Sequence, residues 1–216
     1  MFKGSLHFGR DDTIKIPAFA GMRKFMAKMS FIEKLIVNNP LQVLFHKYFG
    51  ANTLLKNTNL KEPALILEIG AGVGITASYI LKNFSSSKIV ATDYDQAQID
   101  KAIKRNKNLQ IKFQQADAAN LLFADNTFDA CFAILAFHHI ENFSQAVKGV
   151  YRVLKSGGKL YVYDKPVSNW NSLHRYIHLS TLGVFTSQEF ITLLKQSGFK
   201  VNVISSKNYL ILEAIK

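Results

Sequence analysis

Leu65-Ile66-Leu67-Glu68-Ile69-Gly70-Ala71-Gly72-Val73-Gly74-Ile75 is the stretch that decides how the chain is read. An apolar run of strand length ends in glycines at alternating positions, and a helical pattern starts directly after them. Glycine at such a turn lets the backbone bend sharply and leaves no Cβ between the main chain and an approaching ligand. Outward from it, Ile89-Val90-Ala91-Thr92-Asp93 is a second apolar run closed by an acid 19 residues after Gly74. That spacing is close to the ~20 expected of a carboxylate that binds two ribose hydroxyls. A third unit, Phe113-Gln114-Gln115-Ala116-Asp117-Ala118, ends in a carboxylate suited to accept from an exocyclic amine. Three such acids and turns in order on consecutive strand tips mark the edge where open α/β sheets bind ligands, and the ligand expected is a nucleoside-containing cofactor.

From residue 63 onward, short apolar runs alternate with helix-period segments, the pattern of a parallel sheet with crossover helices. Strands are expected at 65–69, 88–92, 110–114, 128–135 and 159–163, and helices at 74–83, 96–106, 144–154 and 187–197. Thr186 and Glu189 stand three apart as a capping box for the last helix. Gly157-Gly158 is expected to stop the helix before it. Residues 200–204 and 209–215 read as two strands around a polar turn at 205–208, an antiparallel end to the sheet. The expected fold is therefore a Rossmann-like, doubly wound α/β sheet of seven strands, mostly parallel, with an antiparallel C-terminal hairpin strand and N-terminal helices.

The 216 residues suit one α/β domain with a short appendage. Hydrophobic residues at 48% and charged residues at 19% exclude a disordered or low-complexity chain. The single cysteine, Cys131, lies in the apolar run Ala130-Cys131-Phe132-Ala133-Ile134-Leu135-Ala136-Phe137 and reads as a core residue, so no disulfide framework is available. That run falls well short of the ~18 residues that span a bilayer. A cytoplasmic protein is expected, in contact at most with the inner membrane face. Lys and Arg number 27 against 15 Asp and Glu, a net charge of +12, and half of that excess falls in residues 1–62. Met22, Phe25, Met26 and Met29, then Leu41, Leu44, Phe45 and Tyr48, follow a helical period broken at Pro40. With Arg23, Lys24 and Lys28 on the opposite side, residues 22–37 are a candidate for peripheral membrane contact. Residues 1–62 are read as a helical appendage, a lid or a membrane or substrate contact, and 63–216 as the catalytic domain.

The dinucleotide fingerprint fits poorly, because its third glycine falls on Ile75, and Glu68 is ill placed beside a pyrophosphate but well placed beside a cation. Over roughly residues 63–163 the sequence resembles the class I S-adenosylmethionine-dependent methyltransferases, and within them the type 11 group of quinone, lipid and other small-molecule enzymes. Glu68-Ile69-Gly70-Ala71-Gly72-Val73-Gly74 is similar to the family's first motif. Asp125-Asn126-Thr127-Phe128-Asp129, the run to His138-His139-Ile140, and residues 150–160 are similar to its fourth- and fifth-strand motifs, with Ser156 where proline is more usual. The resemblance implies that Glu68 and Gly70, Ala71, Gly72 and Gly74 hold the methionine end of S-adenosylmethionine. It implies Asp93 at the ribose, its neighbour Tyr94 among the cofactor-binding residues, Asp117 and Ala118 at the adenine, and the backbone near Leu135 at the amino group.

Methyl transfer from a sulfonium needs alignment and a dry pocket more than it needs acids or bases. A base is required only if the acceptor must lose a proton. His138, His139 and Asp164, following the fourth and fifth strands, are the candidate bases, and His174, Tyr176 and His178 are candidate acceptor contacts. No metal is expected. Two other functions remain open: a nucleic-acid methyltransferase, prompted by the charge and by Lys101, Lys104, Arg105 and Lys107 on one helix, and a cofactor-binding module without turnover. The first is disfavoured by Ala136-Phe137-His138-His139, which stands where base-amine methyltransferases carry an Asn or Asp-Pro-Pro-aromatic motif. Neither the acceptor molecule nor the oligomeric state is read from the chain.

Overall fold

The computed structural model describes residues 50–107, 109–166 and 185–216. The expected helices at 22–37 and 41–48, and His174, Tyr176 and His178, lie outside the described residues.

A short helix, α1 (Asn52–Lys56), precedes β1 (Leu65–Ile69). Then follow α2 (Ile75–Asn83), β2 (Lys88–Asp93), α3 (Gln96–Arg105) and β3 (Ile111–Gln115). The second half runs β4 (Phe128–Ile134), α4 (Phe143–Val153), β5 (Leu154–Asp164), α5 (Ser187–Gln196), β6 (Lys200–Ser205) and β7 (Leu210–Ile215). The seven strands form one sheet in the order β3-β2-β1-β4-β5-β7-β6. Pairings through β5 are parallel, and β7 runs antiparallel to both β5 and β6. The expected doubly wound sheet with its antiparallel end is what the chain forms.

Strand alternation explains the two-sided core. Leu67, Ile69, Cys131, Ala133, Leu160 and Val162 point to one face and pack with Val147, Val150 and Leu194 of α4 and α5. Ile66, Ala130, Phe132, Ile134, Tyr161 and Tyr163 point to the other and pack with Leu54, Ala77 and Ile80 of α1 and α2. Cys131 is fully buried, and burial raises its thiol far above the ordinary range. The order reverses between β1 and β4, so the switch-point crevice opens beyond the C-terminal ends of those two strands.

The capping box forms as expected: Thr186 Oγ1 accepts from Glu189 N, and Glu189 Oε2 accepts from Thr186 N. Gly157-Gly158 does otherwise. Helix α4 already ends at Val153, Leu154 is extended and pairs with Phe128, and pairing resumes at Ala130 with Lys159. The intervening residues bulge from β5, with Gly157 at φ +74° donating to Lys216 O at 3.0 Å. Burying Leu154 against the core decides the end of the helix, and the glycines serve the bulge instead.

Candidate active site at the strand tips

Glu68, the next-to-last residue of β1, is 1% exposed. Its Oε1 accepts from Thr76 Oγ1 on α2, while its Oε2 is buried with no hydrogen-bond partner. Burial holds this carboxyl up, from 4.5 to about 8, with the nearby Asp93 charge adding to the rise. A buried carboxylate oxygen without a donor is costly unless something outside the chain pairs with it. The group that fits is a cation or a charged donor, which would pull the carboxyl back to its ionised form.

The turn after β1 is built around that carboxyl. Gly70, Gly72 and Gly74 all have positive φ, at +71°, +52° and +76°. Two of the three explain why the turn needs glycine. A Cβ on Gly70 would come within 2.6 Å of the Ala136 Cβ, so the turn presses directly on the tip of β4. A Cβ on Gly72 would meet nothing within 4 Å, so this half-buried main chain borders open space and can be approached closely. Ala71 N donates to Thr92 O at 2.9 Å, and Asn106 Nδ2 on the chain just past α3 reaches Gly74 O at 3.3 Å.

Asp93 closes β2 and ties the turn to the next helix: Oδ2 accepts from Gly72 N at 2.8 Å and Oδ1 from Asp95 N at 2.9 Å. Asp95 caps α3 through Ala97 N. Tyr94 is 41% exposed, and its carbonyl accepts from Gln115 Nε2 at 2.9 Å, joining the β2 and β3 tips. Asp117 is exposed and caps the single 3₁₀ turn Ala118–Asn120 by accepting from Ala119 N at 2.8 Å. Glu68, the glycine turn, Asp93, Asp117 and Ala118 thus sit on neighbouring strand tips, where the sequence puts them.

Beyond β4, Leu135 has φ +52°, an unusual conformation for a branched side chain, and donates from its N to Tyr163 O at 2.7 Å. Such a turn re-aims the main chain at the crevice mouth. His138 and His139 follow on a 3₁₀ turn with ring centroids 4.0 Å apart. His138 Nδ1 lies 2.5 Å from Asp164 Oδ1, with Asp164 fully buried and His138 7% exposed. Asp164 also accepts from Phe137 N at 2.8 Å and Lys165 N at 2.7 Å. The sequence reading set Asp164 beside the histidines as a candidate base; the structure buries it and brings Phe137 N, Lys165 N and His138 Nδ1 onto its carboxylate. Its carboxylate engages Nδ1 and so fixes the orientation of the imidazole ring. Thr76, Thr92 and Asn106 were not singled out from the sequence, since hydroxyl and amide side chains of this kind are common on helices and strands and only the folded turn gives them a task.

A family model described as Methyltransferase domain matches residues 67–162. The chain is 31% identical over 170 residues to a sterol 24-C-methyltransferase of Aspergillus fumigatus, an alignment covering 72% of this chain and 44% of that one. It is 32% identical over 110 residues to a demethylmenaquinone methyltransferase of Thermus thermophilus, covering 49% of each. The chain thus spans about half or less of the length of these two relatives. Among solved structures, a SAM-dependent methyltransferase from Aquifex aeolicus superposes with a TM-score of 0.71 at 19% identity, over 87% of this chain and 99% of that one, a likeness of fold.

Proposed function

The chain belongs, through residues 67–162, to the methyltransferase domain family, and from that premise we propose that it methylates a small lipophilic acceptor using S-adenosylmethionine. The observation that carries the reading is the buried, unpartnered Glu68 Oε2 beside the open main chain at Gly72. A ligand with a cationic end and a ribose satisfies both Glu68 and Asp93. Bound there, S-adenosylmethionine supplies an electrophilic methyl on sulfur.

The chain's own residues do the rest. Glu68 would hold the charged methionine end, Asp93 the ribose hydroxyls, and Asp117 with Ala118 the adenine. Ala71 and Ala136, the latter against Gly70, are buried apolar residues at the turn, and an apolar surround there would favour loss of charge from sulfur. His138, oriented by Asp164, would take a proton from the acceptor, with the ring of His139 tilted against its own. The relatives' names, a sterol and a demethylmenaquinone methyltransferase, support the lipophilic acceptor class.

Among the described residues no helix is long and apolar enough to cross a membrane. Residues 1–62 would include a helical appendage, a lid or a membrane or substrate contact, with 63–216 as the catalytic domain; the described end of the first part, α1, packs Leu54 and Leu55 into the core of that domain. The test is calorimetry with S-adenosylmethionine, followed by tritiated methyl transfer to lysate sorted into lipid, water-soluble, protein and nucleic-acid pools. Label in the lipid pool is expected. A folded protein that takes up no S-adenosylmethionine overturns the reading, and label confined to nucleic acid overturns the acceptor class.

A further inference from the structure

Helix α3 buries Gln98, Ile99 and Ala102 against the sheet. Lys101, Lys104 and Arg105, three and four positions apart, share its solvent side, and Lys107 continues the patch just past the last turn. All four are exposed, and among the described residues none of them makes an ion pair or a side-chain hydrogen bond. Arg152 and Lys155, exposed cations on the other half of the sheet, are instead matched by Asp125 and Asp129. From 101 to 116 the chain holds no acid, and the one just before, Asp100, accepts from Gln96 Nε2 at 2.8 Å, toward the start of the helix. Two apolar side chains border the cations: Ile103, 48% exposed, and Leu109, 42% exposed.

We propose that this outer face of α3 docks the protein on a bilayer surface rich in anionic phospholipid. Charge complementarity names the partner: the unmatched cations meet lipid phosphates, while Ile103 and Leu109 enter the boundary between headgroups and acyl chains. A nucleic acid would also attract the cations, but its phosphate backbone gives two exposed aliphatic side chains nothing to pack on. Residues 101–109 contain no aromatic ring on which an unpaired base could stack. Helix α3 starts beside the tip of β2, so its second half runs toward the opposite edge of the sheet, and a surface held there leaves the crevice open. The inference goes beyond methyl transfer and needs neither cofactor nor acceptor.

Flotation of the full chain would use vesicles of phosphatidylcholine alone and of phosphatidylcholine with roughly one-third phosphatidylglycerol. The native chain is expected to float with the second and not with the first, and less as salt rises. At about fivefold in partition per cation near an anionic surface, Lys104→Gln with Arg105→Gln should lower the partition about 30-fold. Lys195→Gln with Lys200→Gln removes the same charge from exposed positions at the β6 edge, opposite β3, and should change it less than about threefold. Ile103→Gln, which leaves the charge alone, should lower it about three- to tenfold. Equal losses in the two paired variants overturn the proposal, since binding would then follow net charge. An unchanged partition in Lys104→Gln with Arg105→Gln, or in Ile103→Gln, overturns it too. A native chain that fails to float and instead shifts a labelled single-stranded RNA assigns the patch to nucleic acid and overturns it likewise. None of these results touches the methyl-transfer reading, which calorimetry with S-adenosylmethionine tests separately.

Discussion

Replacing Glu68 by Gln removes a buried ionisable group while keeping the shape and a group that can pair with Thr76. Because the folded carboxyl is raised from 4.5 to about 8, the native state binds more protons than the unfolded chain between those values. Stability of the ligand-free protein therefore falls as pH rises through that window. At 1.36 kcal/mol per pH unit, the Glu68 contribution between pH 5.5 and 8 is a loss of about 3 kcal/mol. The Gln variant lacks that loss, so urea unfolding midpoints of the two proteins should diverge with rising pH, the variant gaining on the native chain. Ligand binding should show the opposite preference. A cation beside Glu68 draws the carboxyl back to its ionised form, so binding near pH 6.5 releases close to one proton. Calorimetry in buffers of different ionisation enthalpy measures that proton. Glu68→Gln should release none and bind about 10- to 150-fold more weakly, the range for a charge-assisted hydrogen bond of ~1.5–3 kcal/mol. Parallel pH profiles together with equal affinity would refute the reasoning, since they would mean that Glu68 is neither a strained charge nor a seat for a cation.

Other variants separate the architecture of the site from its contacts. Gly70→Ala meets the Ala136 Cβ at 2.6 Å and should destabilise the fold by about 1–3 kcal/mol in a thermal or urea melt. Gly72→Ala meets no neighbour, so it should cost only the ~1–2 kcal/mol of its left-handed backbone yet weaken S-adenosylhomocysteine binding more than tenfold; unchanged affinity would show that the open space is not the ligand's. Asp164→Asn, which removes the charge beside His138 Nδ1, should lower kcat and shift its pH profile while leaving cofactor affinity within about twofold. Cys131, fully buried with its thiol pKa raised, should resist alkylation in the folded protein and react at the rate of unfolding, as mass spectrometry of timed samples would show.

The strand-turn-helix at residues 65–75, the acids at the β2 and β3 tips and the apolar run around Cys131 were all legible in the sequence, because each depends on local periodicity and on which residues a turn tolerates. The role of Gly157-Gly158 was not. A glycine pair after a helix reads locally as a stop, but the competition was won by the buried pairing of Leu154 with Phe128, a contact 26 positions away in the chain. Asp164 shows the same limit. At the tip of a strand it reads as a carboxylate facing the crevice, and only the fold of the β4 extension brings Phe137 N and His138 Nδ1 onto it.

The order of elements and the identity of the acids at the C-terminal edge of the sheet were readable along the chain. Those follow from hydrophobic period and turn chemistry, which act over a few residues. Tertiary structure alone decided which polar atoms remain unsatisfied. Whether Glu68 Oε2 and the Gln98 amide find partners depends on every neighbour that packing brings within hydrogen-bond reach, and those neighbours come from distant parts of the chain. Both groups are carried by local patterns that any α/β domain could contain; only packing leaves them buried without partners.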